Sequence, residues 1–177
     1  MRDAAGRALF ESGALRPDGS IVGNDNDSDA TRFEPHYELV TTPDEVQIYE
    51  AIMVDRRDTV TTGLLHGVRY VKDNRLLPRG FDKRTAEPDV AVHGAAAADV
   101  DFEAGADRVR YRIAVDAGDA PLTVEAELLY QSIGYRWAEN LRSYDAAETR
   151  RFTRYYDESA AGSATRLASA AATVAAR

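Results

Sequence analysis

The residues best suited to chemistry in this chain are carboxylates in short alternating runs. Asp25-Asn26-Asp27-Ser28-Asp29 places Asp25, Asp27 and Asp29 at every second position. A hard cation such as calcium takes about six to eight oxygen ligands, and such a run offers several at once. An EF-hand also needs a glycine at the sixth place and a glutamate at the twelfth, where Ala30 and His36 stand, so the run is no EF-hand. It reads either as a candidate calcium site or as a solvated acidic loop. Asp99, Asp101 and Glu103 repeat the spacing. In a strand, alternation puts all three on one side of the edge, which makes a second candidate cation site with the same plain alternative.

His36, His66 and His93 are far apart, with no pair at i, i+4. His66 reads as a packed or hydrogen-bonded strand residue. His36 follows Pro35 in a loop, from which it could coordinate a group across an interface. No G-x-S-x-G elbow supports a serine nucleophile. Gly19-Ser20-Ile21-Val22-Gly23 lacks the lysine and the flanking elements of a phosphate loop. Carboxylate pairs for glycoside hydrolysis meet only in a fold and cannot be read from 30 acidic residues. Aromatic and arginine side chains crowd 135–156. Tyr135, Trp137, Tyr155 and Tyr156 could present a surface to a sugar or a protein partner, or form the seam between a sheet and a C-terminal helix.

The elements that would carry these groups follow from pattern. Residues 1–44 are dense in Gly, Pro, Asn and Asp and read as a long irregular N-terminal arm. Val46–Val54 and Leu64–Val71 read as strands, the second bulged at Gly67. Val109, Tyr111, Ile113 and Val115 share one face, as do Leu122, Val124, Ala126 and Leu128. A hairpin of the two would set Arg112 against Glu125 and Arg110 against Glu127. Ile133–Ala138 extends the sheet. Asp145 with Glu148 marks a capping box, and a second, alanine-rich helix follows Ser163. The expected fold is mainly β: an antiparallel β-sandwich over 45–142, with a short C-terminal helical segment over 143–177 packing on it.

Composition bounds the partners. The 177 residues suit one domain with attached arms. A net charge of −8 disfavours nucleic acid and anionic membrane surfaces. The absence of cysteine removes disulfides, thiolate metal sites and covalent C-x-x-C-H haem attachment. No apolar run is long enough to span a bilayer, and the N-terminus lacks the apolar core of a signal peptide.

Several linear strings are distinctive: Gly6-Arg-Ala-Leu-Phe-Glu-Ser-Gly-Ala-Leu-Arg-Pro-Asp-Gly-Ser20, Phe33-Glu-Pro-His-Tyr-Glu38, Val46-Gln-Ile-Tyr-Glu50, Val60-Thr-Thr-Gly-Leu64, Lys72-Asp-Asn-Arg-Leu-Leu-Pro-Arg-Gly-Phe-Asp-Lys83 and Ile133-Gly-Tyr-Arg-Trp-Ala-Glu-Asn-Leu141. Together they resemble the haem-free C-terminal region of bacterial secreted multihaem c-type cytochromes. The resemblance implies a periplasmic or extracellular location and haem only in an upstream domain. It also implies a non-catalytic accessory or docking role, with the arm leading to the haem-bearing domain of the same parent protein or to a redox partner. The alternative is a secreted calcium-binding sandwich that takes carbohydrate or a protein partner.

Overall fold

The computed structural model describes residues 1–175. They form two compact units, Gly23–Arg112 and Met1–Val22 joined with Ile113–Arg177. Strand makes up 25% and helix 18%, in several small sheets with no closed barrel, so the mainly-β expectation fits only loosely.

Gly23–Arg112 begins with a single helical turn, α1 (Asp25–Ser28), started by Asn24, whose side chain accepts from the Asn26 N–H at 3.1 Å. The strands β1 (Leu39–Val40), β2 (Ala51–Val54), β3 (Val60–Thr61), β4 (Arg69–Asp73) and β5 (Arg110–Tyr111) follow. β2 lies between β3 and β4 in an antiparallel sheet, and β1 pairs with β5 in parallel. Alternation along β2 buries Ile52 and Val54. Gly67 is not a bulge in a long strand. The chain from Gly63 to Gly67 is a turn, closed by the Gly67 N–H on Gly63 O at 2.9 Å, and it leaves His66 exposed rather than packed. The interior combines Val40, Val46, Ile52, Val54, Ala96 and Phe102 with an unusual set of buried polar residues: Glu34, His36, Lys72, Asp73, Asn74 and Asp99.

The other unit contains β6 (Leu122–Gln131), α2 (Tyr135–Leu141), α3 (Ala147–Ser159) and β7 (Ala164–Val174). The expected hairpin does not form. β6 pairs antiparallel with β7 from Leu122↔Val174 to Gln131↔Ala164, while Arg110 and Tyr111 pair with β1. Glu127 therefore meets Arg166, at 2.8 Å, rather than Arg110. The alanine-rich tail is a strand, not a second helix: a long antiparallel pairing overrides the helix preference of alanine, and Thr165, Thr173 and Val174 suit it. The tail's last two residues lie outside the described ones. Ile133–Ala138 does not extend the sheet but leads into α2. The start of α3 is also one residue later than the Asp145–Glu148 box implies. Thr149 Oγ1 accepts from the Ala146 N–H at 3.4 Å, while Asp145 turns to Arg150.

The expected arm is shared between the units. Arg2 bridges Thr123 of β6, and Gln131 Nε2 donates to Gly19 O at 2.8 Å. Gly19 has φ +86°, and a Cβ there would lie 2.5 Å from the Tyr156 hydroxyl, so only glycine fits this approach.

Candidate functional site

The densest constellation of titratable groups lies in Gly23–Arg112 around His36. Three loops and one strand end deliver it: 34–37 carries His36, 47–49 carries Gln47 and Tyr49, the end of β4 leads to Asn74, and 99–107 carries Asp99, Phe102 and Asp107. The ring's Nε2 lies 3.0 Å from Asp99 Oδ2 and 3.9 Å from Asp107 Oδ1. Its Nδ1 lies 2.9 Å from Gln47 Nε2 and 3.0 Å from Asn74 Nδ2. Phe102 meets the imidazole edge-on at 5.0 Å. The side chains of His36, Asp99 and Asp107 are only 1%, 1% and 3% exposed.

The backbone fixes which way each amide points. Asn74 Oδ1 accepts the Glu50 N–H at 2.9 Å, and its Nδ2 donates to Ile48 O at 2.9 Å. Gln47 Oε1 accepts the Tyr37 N–H at 2.8 Å. Both amides therefore turn NH₂ groups toward His36 Nδ1, which must accept. The ring hydrogen then sits on Nε2 and is donated to Asp99.

The carboxylates are held by the same logic. Asp99 Oδ1 accepts the Asp101 N–H at 3.0 Å. Burial acts to raise the Asp99 carboxyl, but the hydrogen bonds from Asp101, His36 and Phe102 outweigh it and hold the group below the usual aspartate range. Asp107 Oδ2 accepts from the Tyr49 hydroxyl at 2.5 Å, and Oδ1 from the Arg108 N–H at 2.7 Å. Burial, then that bond to Asp107, pushes the Tyr49 phenol well above its ordinary value. Lys83 caps the Ala96 and Asp99 carbonyls and lies 5.8 Å over the Phe102 ring.

A second buried set adjoins through Asn74 and Ile48. Lys72 Nζ donates to Ile48 O at 2.9 Å and to Glu50 Oε1 at 3.0 Å. Burial pulls the lysine down and pushes Glu50 up, each only partly offset by the other's charge. Glu34 accepts from the Tyr37 hydroxyl at 2.6 Å and from the Asp25 N–H at 3.0 Å.

Chemically, a His–Asp pair has the parts of a general base and its orienter. Here neither ring nitrogen is left for a substrate: one is given to Asp99, the other to two amides. The ligand atoms of His36, Asp99 and Asp107 lie within 4.8 Å of one another, close enough to surround a metal ion. A metal at Nε2 needs that nitrogen's lone pair, so the hydrogen would have to move to Nδ1, where two N–H donors already point. The donor set therefore suits hydrogen bonding rather than ligation.

The residues expected from sequence are distributed otherwise. Asp25 and Asp27 lie on α1 with Asp29 at its C-cap. Asp25 pairs with Arg32, and Asp29 Oδ1 accepts from the Thr31 N–H and hydroxyl at 2.8 and 2.7 Å. A cation would have to displace those donors. Residues 99–103 are not a strand, so the alternation that aligned three carboxylates is absent. Asp99 is buried on His36, Asp101 lies 3.9 Å from Arg108, and Glu103 is exposed beside its bridge to Ala106. Trp137 and Tyr155 are 40% and 55% exposed, whereas Tyr156 is buried with Ala138 and Ala160, and Tyr135 packs against them. That aromatic group is thus a seam between α2 and α3 with two rings left on the surface. Compared with known protein families, curated proteins and solved structures, the chain matches none.

Proposed function

We propose that this chain is a non-catalytic accessory or docking module of a secreted multihaem cytochrome-like electron-transfer protein, working in the periplasm or outside the cell. The haem is carried upstream, and the module's partner is the haem-bearing domain or a redox partner. An antiparallel sandwich arrangement of the sheets belongs to the same reading. The observation that carries the non-catalytic part is the sealing of the His36 group, whose ring nitrogens are both used internally and whose side chain is 1% exposed. The cytochrome part rests on the linear strings alone; with no cysteine in this chain, covalent haem would have to be held elsewhere.

The test is a haem stain and an absorption spectrum on the product of the complete natural gene. A covalent Soret-absorbing group on a polypeptide containing this sequence is the expected result. A haem-free product overturns the cytochrome part of the reading.

A further inference from the structure

A two-stranded ribbon is marginal in water by itself, and a long flat edge strand is a template for another chain. β7 is a long edge strand. It has 11 residues, all exposed except half-buried Ala164, and among the described residues nothing pairs with its side away from β6. Proline and glycine are absent from 164–174, and its one charge, Arg166, is engaged with Glu127 on the ribbon itself; the register shift that leaves Leu167 unpaired with β6 lies at the start of the strand, outside Ala168–Val174.

The order of residues says what fits this edge. In an antiparallel pairing of Ala168–Val174 with a second copy of itself, centred on Ala171, Ser169 stands opposite Thr173. Ala168 stands opposite Val174, Ala170 opposite Ala172, and Ala171 opposite its own counterpart. Hydroxyl meets hydroxyl and small apolar meets small apolar, the matches that favour cross-strand pairs. Arg166 of each copy falls beyond the paired segment, so no like charges face each other. The ribbon's faces continue across the join as well. Val124, Ala126, Ala170 and Ala172 share one face, while Glu125 and Glu127 lie on the other, one strand removed from the axis.

We infer that β7 is a homodimerisation edge, two copies of the chain pairing through a two-fold axis at Ala171 to give a continuous β6–β7–β7–β6 sheet. A symmetric, isologous contact of this kind closes on itself and does not propagate into a fibre. It stands apart from the proposed cytochrome role and holds or fails without it.

Sedimentation velocity of the full chain over a wide concentration range reads the proposal. The wild type is expected to pass from monomer to dimer, and Ala171→Lys to weaken the dimer at least tenfold by facing two ammonium groups at the axis. Glu125, opposite Ala171 on β6, gives that lysine a partner within its own ribbon, so the monomer keeps its fold, as circular dichroism checks. Ala171→Glu alone is likewise expected to be monomeric, with circular dichroism checking that its ribbon stays folded although Glu125 faces it, and a mixture of the two folded variants to regain the dimer, because only a contact in which residue 171 meets itself is rescued this way. A wild type that stays monomeric throughout overturns the inference. So does a dimer that either single variant leaves intact, or a mixture that fails to reassociate.

Discussion

Asn74→Ala isolates the buried network that organises Gly23–Arg112. Asn74 is fully buried, and its side chain serves three groups: the Glu50 N–H, Ile48 O and His36 Nδ1. Two of these keep another donor after truncation, since Lys72 Nζ still reaches Ile48 O and Gln47 Nε2 still reaches Nδ1. Each of those losses costs about 0.5–1 kcal/mol. The Glu50 N–H is left without its acceptor, which costs about 1–3 kcal/mol. The sum is a destabilisation of about 2–5 kcal/mol, large against the ~5–15 kcal/mol of a typical domain. Trp137, the only tryptophan, lies in the other unit, so its fluorescence does not report this change directly. Urea titration followed by amide signals of 23–112 does. A loss smaller than about 0.5 kcal/mol, the scatter of ordinary surface substitutions, would refute the claim that Asn74 holds the network together.

Other outcomes follow from neighbouring groups. Lys72→Met leaves Glu50 without its buried cation and destabilises the unit, whereas Lys72→Met with Glu50→Gln recovers most of the loss, because a buried ion pair is costly to break and cheap to replace; thermal melts of the three proteins decide. The Asp99 carboxyl sits lower in the folded state than in the unfolded one. Its contribution is therefore present above the ordinary aspartate range of about 3.9 and is lost as pH falls through the lower folded value. Asp99→Asn should flatten the acid limb of the stability–pH curve, and an unchanged limb counts against the assignment. Gly19→Ala combines a strained φ of +86° with a Cβ 2.5 Å from the Tyr156 hydroxyl, while Gly6→Ala has φ +81° and nothing within 4 Å. Gly6→Ala should cost about 1–2 kcal/mol from backbone strain alone, and Gly19→Ala clearly more, read by Trp137 fluorescence. Millimolar calcium should leave the melting midpoint unchanged, because Asp25 and Asp29 already have protein donors. A rise that is lost in Asp27→Ala would restore the calcium reading.

What the sequence revealed depended on range. The punctuated start, the β2 alternation at Ile52 and Val54, and helix α3 were legible because their signals are local. The partner of β6 was not. Arg110 and Arg112 offered glutamates a plausible register, and nothing local announced that Ala164–Val174 would supply the real one from beyond a helix. The alanine-rich stretch misled for the same reason, since propensity speaks for helix and only pairing speaks for strand. His36 and Asp99 are 63 residues apart in sequence, and Gln47, Asn74 and Asp107 carry no spacing that links them to a histidine. The Phe33-Glu-Pro-His-Tyr-Glu38 string was visible as a string, but its role as the centre of a polar core appears only in three dimensions. Of the expected aromatic surface, Trp137 and Tyr155 are exposed and Tyr135 and Tyr156 are not, because one face of α3 had to be buried against α2.

The most direct test of the sealed histidine is nitrogen-15 NMR of the His36 imidazole in the intact chain at neutral pH, with and without added zinc. The expected result is a single tautomer with hydrogen on Nε2, coupled to a slowly exchanging proton held by Asp99, and no change when zinc is present. Hydrogen on Nδ1, or a spectrum that zinc converts to a metal-bound form, would contradict it and return His36, Asp99 and Asp107 to the list of working groups.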